Sequence, residues 1–544
     1  MSSIIEFKSA STKEAFESNK AVLKPNHLWE WFFWLTEIAR PSGSLDLVRR
    51  ALKDVGARLP NVTVKEDSAG NICLSRPATP GHEGQPGLVF QCHMDMVVAH
   101  DAAARPAFAA QRDGIEAEVR SDGWVYARGT SLGADDGIGV ATCLALLCDP
   151  ALAAAGHPAI DCLFTADEET TMGGAEGLDP AILTPGARYL VNVDSEDDSM
   201  LCLGSAGGGD IAVRFTPQRE PLDTAAEALL SVALSGFAGG HTGVEIDKYR
   251  ANAVKQLANL LSQAQHNINS NNNNNNNNIN CNGLSNGNKI NNKFLRIAEF
   301  SGGVYTNALP NDARALVAVP RGVMDAFVEA LKRGFENLKA DYRSVESADA
   351  LAISVEAVGA EKSAGVVALD TRMSSKVLSF WALAPSSPIR MSPDVPGLVE
   401  TSCAFTIAKV PQAAGAVCEF DALARTSRET SWDDLECMAR ALADVVDGEV
   451  EISGRFPGWL PEPASRIAKA AEAAHAEALG KPCVVYAVHA GLECGLISQK
   501  VPGMEAISIG PKVEFPHTVN ERCNIETVTT YYDWVMKIIE HLSK

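Results

Sequence analysis

The sequence has no long hydrophobic run, and it has much less positive than negative charge. Its 544 residues include 47 Lys and Arg against 68 Asp and Glu, a formal net charge of −21. Nucleic acids and anionic membranes bind basic surfaces, so this balance argues against both as partners. No apolar stretch reaches the roughly 18 residues of a membrane-spanning helix, and the first residues lack the basic and apolar regions of a secretion signal. We therefore expect a cytoplasmic protein.

Closely spaced cysteine pairs are also missing. The thirteen cysteines are scattered, and none forms a C-x-x-C pair. A disulfide framework or a zinc ribbon would need such regular spacing. The pattern predicts reduced thiols in the protein core, in agreement with a cytoplasmic location.

Aromatic residues are few, at 6% of the chain, and several of them are concentrated in one segment. From Asn26 to Ala39 the spacing predicts a helix that carries Trp29, Trp31, Phe32, Phe33 and Trp34. These rings could form a platform for a ligand. Because large aromatic side chains are usually buried, we favour packing in the core.

A chain of this length needs more than one hydrophobic core, and we expect two domains. Alternating helices and strands predict an α/β catalytic domain built from residues 1–206 and 454–544. Residues 204–209 are rich in glycine and predict a linker to a second, inserted α+β domain, residues 207–453. Within that domain, residues 266–293 are rich in asparagine, which cannot bury apolar area, so a disordered surface loop without a role in the chemistry is predicted.

Several acidic residues follow short apolar runs that predict buried strands. Residues 87–90 lead into Gln91-Cys92-His93-Met94-Asp95, residues 160–164 lead into Asp167-Glu168-Glu169, and residues 189–193 lead into Asp194. In open α/β sheets, ligands bind beyond the carboxyl ends of the strands. Five residues are expected at this edge or on turns beside it: His93, Asp135, Glu168, Glu169 and Asp194. Such a cluster predicts a metal site.

The glycine-rich segment 129–139 precedes a predicted helix and contains Asp135 and Asp136. A glycine-rich turn at a helix N-terminus can bind phosphate through its N–H groups. Two carboxylates on the turn would repel phosphate but attract a divalent cation, so the cation is favoured.

Seven motifs together resemble one known family. In chain order they are QCHMDMV, GTSLGADDGIG, TADEET, NVDSEDD, GGHTG, HAGLECGL and FPHTVNE. This set is similar to that of the cytosolic aminoacyl-histidine dipeptidases, also called Xaa-His dipeptidases or peptidase D. They belong to the co-catalytic zinc peptidase superfamily, which includes aminoacylase-1. The resemblance runs from about Leu23 to Leu542 and is interrupted by the asparagine-rich insert.

The resemblance implies a catalytic domain with a mixed sheet flanked by helices, an inserted lid domain that forms a homodimer, and two zinc ions per chain. Manganese or cobalt could take the place of zinc. Asp135 would bridge the two ions. His93 and Asp194 would complete one site, and Glu169 and His517 the other.

The resemblance also implies the catalytic roles. Asp95 would orient His93, and Glu168 would act as general base on a metal-bridging water. His241 would stabilise the oxyanion, from its own chain or from a second subunit. The substrate-binding candidates are Asn307, Arg425, as a clamp for the carboxylate of a dipeptide, and His489, in one motif with Glu493. The expected substrates are short peptides, with Xaa-His dipeptides such as carnosine foremost.

One residue departs from the family pattern, and two other functions remain open. Asp136 stands where the family often has asparagine, which adds negative charge beside the metals. An aminoacylase-like amidohydrolase on the same scaffold would use the same metal motifs. A non-catalytic binding protein is disfavoured, because all the ligands and the base are present and such a charged cluster is costly to hold without metal.

Overall fold

The computed structural model describes residues 4–274, 293–393, 395 and 397–544. The chain divides into two compact units, Met1–Ser205 with Trp459–Lys544, and Ala206–Gly458. The second unit is therefore inserted, in sequence, between the two segments of the first. Among the described residues no helix combines the length and apolar character needed to cross a membrane.

The first segment of the first unit alternates helices and strands. Its helices are α1 Ala10–Asn19, α2 Asn26–Thr36, α3 Asp46–Arg58, α4 Ala134–Cys148, α5 Pro150–Ala155, α6 Glu168–Thr171 and α7 Gly173–Glu176. Its strands are β1 Thr63–Glu66, β2 Ile72–Arg76, β3 Gly87–His93, β4 Ala117–Val119, β5 Trp124–Ala127, β6 Ile160–Thr165, β7 Ala187–Asn192 and β8 Met200–Ser205.

The second unit consists of long antiparallel strands and helices. The strands are β9 Gly207–Phe215, β10 Arg219–Pro221, β11 Glu227–Ser235, β12 Gly240–His241, β13 Arg296–Gly302, β14 Ala308–Leu309, β15 Ala313–Pro320, β16 Ala352–Ala357, β17 Val367–Leu369, β18 Ser386–Met391, β19 Val399–Val410, β20 Cys418–Thr426 and β21 Glu449–Phe456. The helices are α8 Ala253–Asn274, α9 Met324–Tyr342, α10 Ala360–Ser363, α11 Thr371–Leu383 and α12 Ser431–Val445.

The chain then completes the first unit. The remaining elements are α13 Arg466–Leu479, β22 Val484–Val488, α14 Glu493–Lys500, β23 Glu505–Ser508, β24 Val513–Glu514, β25 Arg522–Asn524 and α15 Ile525–Leu542. In the described part of the chain, short 3₁₀ turns occur at Pro180–Ile182, Ile246–Lys248 and Arg321–Val323.

The sheet of the first unit is mixed, as the family resemblance implies. Its strand order is β1-β2-β6-β3-β7-β23-β8-β22. The central strands β6, β3, β7 and β23 run parallel, so their carboxyl ends lie along one edge. The apolar character of β3 follows from this central position, because every one of its residues is buried.

The aromatic segment of α2 lies in the core of the first unit, which confirms the core interpretation and not the ligand platform. Trp29, Phe32 and Phe33 have no exposed surface, and Trp31 and Trp34 are 2% and 6% exposed. The same core takes side chains from β3, β6, α4 and α15. The twelve described cysteines are free thiols, and most of them are buried.

Two predicted features of the second unit are wrong. Residues 204–209 are not a linker, since they end β8 and begin β9, which pairs with β20 and β21. Glycine here permits close packing: a Cβ at Gly207 would lie 2.5 Å from the backbone nitrogen of Gly458. The unit also extends to Gly458, beyond residue 453, because β21 continues to Phe456 on β9.

The asparagine-rich tract begins as helix and not as disordered loop. Helix α8 passes residue 266 and continues to Asn274. Asparagine costs only about 0.7 kcal/mol relative to alanine in a helix, and extending a helix that already exists is much easier than starting one. The rest of the predicted loop, residues 275–292, lies outside the described part of the chain.

Candidate metal centre

The candidate ligands lie at the carboxyl edge of the parallel strands. His93 ends β3, Glu168 and Glu169 follow β6, and Asp194 follows β7. Asp135 stands at the start of α4, and His517 lies in the loop between β24 and β25. The first and last parts of the sequence thus both contribute to one cluster, although His517 comes from a loop of a separate antiparallel sheet.

Asp135 lies between the two histidines. Its Oδ1 atom is 3.0 Å from Nε2 of His93, and its Oδ2 atom is 3.1 Å from Nε2 of His517. Each carboxylate oxygen therefore faces a different imidazole. This is the arrangement that a carboxylate shared by two cations requires.

The remaining candidates complete two sets of donors around Asp135. Oδ1 of Asp194 is 3.4 Å from Nε2 of His93, and Oε1 of Glu169 is 3.0 Å from Nε2 of His517. Within each set the donor atoms lie within 4.8 Å of one another. Glu168 forms a third such group with His93 and Glu169, so its carboxylate lies beside both sets.

Asp95 holds several parts of the site together. Its Oδ1 atom is 3.5 Å from Nδ1 of His93, on the ring side opposite Asp135. The backbone N–H groups of Glu168 and Glu169 donate to its two oxygens at 3.0 and 3.3 Å, and Ser42 Oγ donates at 2.8 Å. Asp95 is fully buried, and although burial favours its protonated form, the bonds with His93 lower its pKa.

Glu168, Asp194 and Asp135 have strongly shifted pKa values. Burial raises the pKa of Glu168 well above its ordinary value and that of Asp194 to about 6. Burial also disfavours the charged form of Asp135, but hydrogen bonds with His517 and His93 lower its pKa well below the usual range. Such opposite shifts in neighbouring groups are typical of functional sites.

The imidazoles are shifted in the other direction. Hydrogen bonds with Asp135 and Glu169 raise the pKa of His517 to about 10. Burial opposes the charged form of His93, yet the charge of Asp194 and the bond with Asp135 raise its pKa well above the ordinary value.

The donor set fits divalent cations. Four carboxylates and two imidazoles converge here: Asp135, Glu168, Glu169, Asp194, His93 and His517. The negative charge exceeds what two imidazolium groups could balance, and buried charges need compensation. Carboxylate oxygen with imidazole nitrogen is a donor combination that suits zinc, and also manganese or cobalt.

His241 and Arg425 lie together within the second unit. The N–H groups of Gly243 and Val244 donate to Nδ1 of His241 at 3.2 and 3.1 Å, so the neutral ring carries its proton on Nε2. Nη2 of Arg425 is 3.4 Å from that Nε2 atom. Two donors thus stand side by side, and Arg425 is only 6% exposed.

The pKa values of His241 and Arg425 suit this pair to bind an anionic group. Burial and the charge of Arg425 lower the pKa of His241, so the imidazole is neutral near pH 7. Burial lowers the pKa of Arg425 to about 10, which leaves it charged. Asn307 is exposed, and its backbone oxygen accepts a hydrogen bond from Thr242 N–H at 2.9 Å. This hydrogen bond holds the backbone of Asn307 next to Thr242, the residue that follows His241.

The HAGLECGL motif lies in the first unit. His489 is 6% exposed and Glu493 is 1% exposed. Gln91 Nε2 and Thr165 Oγ1 donate to Oε2 of Glu493 at 2.6 and 2.7 Å. Glu493 thus binds β3 and β6 directly beneath the strand ends that carry His93 and Glu168.

Arg40 and Glu521 are charged residues near the candidate ligands, and the sequence assigns a function to neither of them. Arg40 donates to the backbone oxygen of Asp95 at 2.7 Å, and Glu521 accepts from the backbone N–H of Asp135 at 3.3 Å. Glu521 is the last residue of the FPHTVNE motif, which was the only sequence signal for it. The phosphate interpretation of segment 129–139 is wrong, because the carboxylate of Glu521 already occupies the N–H groups of this turn.

The fold and the cluster of donors define a class of enzyme. The sequence matches the model of Peptidase family M20/M25/M40 over residues 89–541, and the chain belongs to this family. Its members are metal-dependent peptidases. The chain is therefore a metallopeptidase.

Two individual relatives cover almost the whole chain. The chain is 30% identical over 526 residues to the cytosol non-specific dipeptidase of Escherichia coli K12. The alignment covers 96% of this chain and 99% of that protein. The crystal structure of the aminoacylhistidine dipeptidase from Vibrio alginolyticus matches with a TM-score of 0.81 and 29% identity, over 97% of this chain and 99% of the other. A tripeptidase from Staphylococcus aureus, at 16% identity and a TM-score of 0.51, shares the fold.

Proposed function

We propose that the chain is a di-zinc dipeptidase of the cytoplasm that hydrolyses short peptides, with Xaa-His dipeptides such as carnosine among its substrates. The observation that carries this proposal is the position of Asp135, with one oxygen facing His93 and the other facing His517. One ion would be held by His93, Asp135 and Asp194, and the other by Asp135, Glu169 and His517.

In this proposal the residues of the first unit activate water. Divalent cations in these sites would polarise the scissile carbonyl and lower the pKa of the attacking water. Glu168 takes the proton from that water and delivers it to the leaving amine. Burial raises the pKa of Glu168, which makes its carboxylate a stronger base than a solvated glutamate. Asp95 fixes Glu168 through the backbone and His93 through its ring.

The donor pair of the second unit is assigned to the substrate. His241 offers Nε2–H to the oxygen that becomes negative during attack, and Arg425 offers its guanidinium to the free carboxylate of a dipeptide. The 3.4 Å between the two donors supports their action on one small molecule. Asn307 and His489 are proposed to contact the same substrate.

The choice of dipeptides is supported by the two full-length relatives, whose names are a non-specific dipeptidase and an aminoacylhistidine dipeptidase. The first of these is also described as a cytosol protein, which supports the proposed location. We further propose a homodimer formed through the second unit, in its role as lid and dimerisation domain.

The decisive experiment combines zinc content with a panel of substrates. We expect about two zinc ions per chain and chelator-sensitive hydrolysis of β-Ala-His and Gly-His. An N-acetylated amino acid and a tripeptide serve as the comparison. Hydrolysis of the acetylated substrate alone would instead identify an aminoacylase-like enzyme, and metal without turnover on any substrate would contradict the catalytic role.

A further inference from the structure

The turn that leads to Asp135 wraps around the carboxylate of Glu521. Leu132 N–H and Gly133 N–H donate to its Oε2 atom at 2.7 and 2.8 Å. Ala134 N–H and Asp135 N–H donate to its Oε1 atom at 2.7 and 3.3 Å. Four successive backbone donors thus share one side chain, and the last of them belongs to the candidate bridging ligand.

Arg40 holds the same turn from its carbonyl side. Its Nη2 atom donates to the backbone oxygen of Gly133. Its Nη1 atom donates to the backbone oxygens of Met94 and Asp95 at 3.3 and 2.7 Å. One guanidinium therefore joins the turn before Asp135 to the strand exit that follows His93.

Both groups are buried, and both bind the same turn, Glu521 at its N–H groups and Arg40 at one of its carbonyl groups. Arg40 is 3% exposed and Glu521 is 2% exposed. An isolated buried charge is very unfavourable, whereas charges of opposite sign that are fully hydrogen-bonded can be held inside a protein. A side chain at Gly133 would not fit, because its Cβ atom would lie 2.7 Å from Nη2 of Arg40 and 2.7 Å from the side chain of Met96.

Glu521 is also connected to the second histidine. It lies in the same loop as His517, and its N–H group donates to the backbone oxygen of Thr518 at 3.2 Å. The side chain of Glu521 therefore links the loop of His517 to the turn of Asp135, two ligands assigned to the same cation. His517 and Asp135 are 382 residues apart in sequence, so this link joins two distant parts of the chain.

We propose that Glu521 and Arg40 are positioning residues, which set the place of Asp135 relative to His93 and His517 and thereby set the affinity for the metal ions. This assignment rests on the proposed metal centre. Neither residue contacts the ions in this account. Replacing a residue that orients a metal ligand typically weakens metal affinity by about 10- to 100-fold.

The test measures zinc affinity of Glu521→Gln by competition with a chelator. Glutamine keeps the shape but replaces one acceptor oxygen with an NH₂ group that faces N–H donors. We expect zinc affinity about 10- to 100-fold weaker than in the unchanged protein. Thermal unfolding of the metal-free protein, measured alongside, reports any general loss of stability.

Asp161→Asn is the matched control. Asp161 is 1% exposed and accepts hydrogen bonds from Thr184 N–H and Oγ1 at 2.6 and 2.7 Å, at the start of β6 and away from the strand end. This variant also loses a buried, hydrogen-bonded carboxylate. We expect it to lower the unfolding temperature and to leave zinc affinity unchanged.

The outcomes separate this inference from the proposed function. If the unchanged protein binds no zinc, the metal centre itself is wrong. If it binds zinc and Glu521→Gln binds equally well, or loses affinity only to the extent of Asp161→Asn, the positioning role is wrong. Should Glu521→Gln fail to fold, Glu521→Asp keeps the charge but shortens the reach, and unchanged zinc affinity in that variant would equally overturn the inference.

Discussion

At the scale of single residues, Glu168 is distinguished from the other carboxylates of the cluster by its surroundings. Asp135, Asp194 and Glu169 each face an imidazole nitrogen within 3.4 Å. The pKa of Glu168 is strongly raised because its half-buried carboxyl group is poorly solvated, and its backbone, like that of Glu169, is held by Asp95. In the proposed mechanism these adjacent residues have different tasks, Glu169 as a metal ligand and Glu168 as the general base.

Replacement of Glu168 by glutamine should separate these tasks. We expect kcat to fall by roughly 10²- to 10⁴-fold, the usual contribution of a general base. Zinc content should remain unchanged, because both proposed ligand sets stay complete. The control is Glu176→Gln, which replaces an exposed carboxylate on α7 and should leave kcat the same as in the unchanged protein. Loss of zinc in Glu168→Gln would show that Glu168 is a ligand instead.

The two histidines proposed as ligands should make zinc binding dependent on pH. The pKa of His517 is raised to about 10 and that of His93 is also raised, so both rings hold protons near pH 7 in the metal-free protein. Zinc binds only neutral imidazole, so binding releases protons and should become tighter as pH increases from 6 to 8. Calorimetry in two buffers of different ionisation enthalpy measures the number of protons released. A pH-independent affinity would contradict the assignment of these two ligands.

The same shift affects stability without metal, and its sign follows from linkage. The folded pKa of His517 exceeds the unfolded value of about 6.5, so the folded state binds the proton more tightly. Its contribution to stability is fully present below pH ~6.5 and is lost as pH rises through about 10. Zinc should reverse this trend, since it favours the deprotonated ring.

At the scale of elements, the sequence was most informative where periodicity and strand ends coincide. The parallel strands β3, β6 and β7 were predictable from their apolar runs, and the rule for strand ends correctly placed His93, Glu168 and Asp194 along one edge. His517 and His241 came only from the family resemblance. The contact of Glu521 with residues 132–135 joins segments more than 380 residues apart, which no local pattern can show.

Glycine at 133 is required by the turn that precedes α4. Its φ of 68° is left-handed, which costs roughly 1–2 kcal/mol for alanine, and an added Cβ would collide with Arg40 and Met96 at 2.7 Å. Gly133→Ala should therefore lose stability and also bind zinc more weakly.

Gly123→Ala is the matched control for this variant. Gly123 has a φ of 87°, but an added Cβ would have no neighbour within 4 Å. It should lose roughly 1–2 kcal/mol of unfolding free energy, as expected from backbone strain alone, with zinc affinity unchanged. Chemical denaturation and chelator competition measure the two quantities. Equal zinc affinity in both variants would show that the turn before α4 does not affect metal binding.

At the scale of the whole molecule, the proposed ligands all belong to one unit although they come from both ends of the chain. His93, Asp135, Glu169 and Asp194 precede the inserted unit, and His517 follows it. Each unit has its own hydrophobic core, so each can unfold in its own transition. Metal would then join the two segments of the first unit and leave the second unit unaffected.

Removal of metal should accordingly lower only one of two unfolding transitions. At 100 times its Kd, zinc stabilises the state that binds it by about 2.7 kcal/mol, which calorimetry detects as a shift in Tm of the first unit. Leu331→Ala, which opens a cavity in the core of the second unit, identifies the other transition. If chelation shifts the transition that Leu331→Ala also lowers, the two units unfold together, and the energetic independence inferred from their separate cores is wrong.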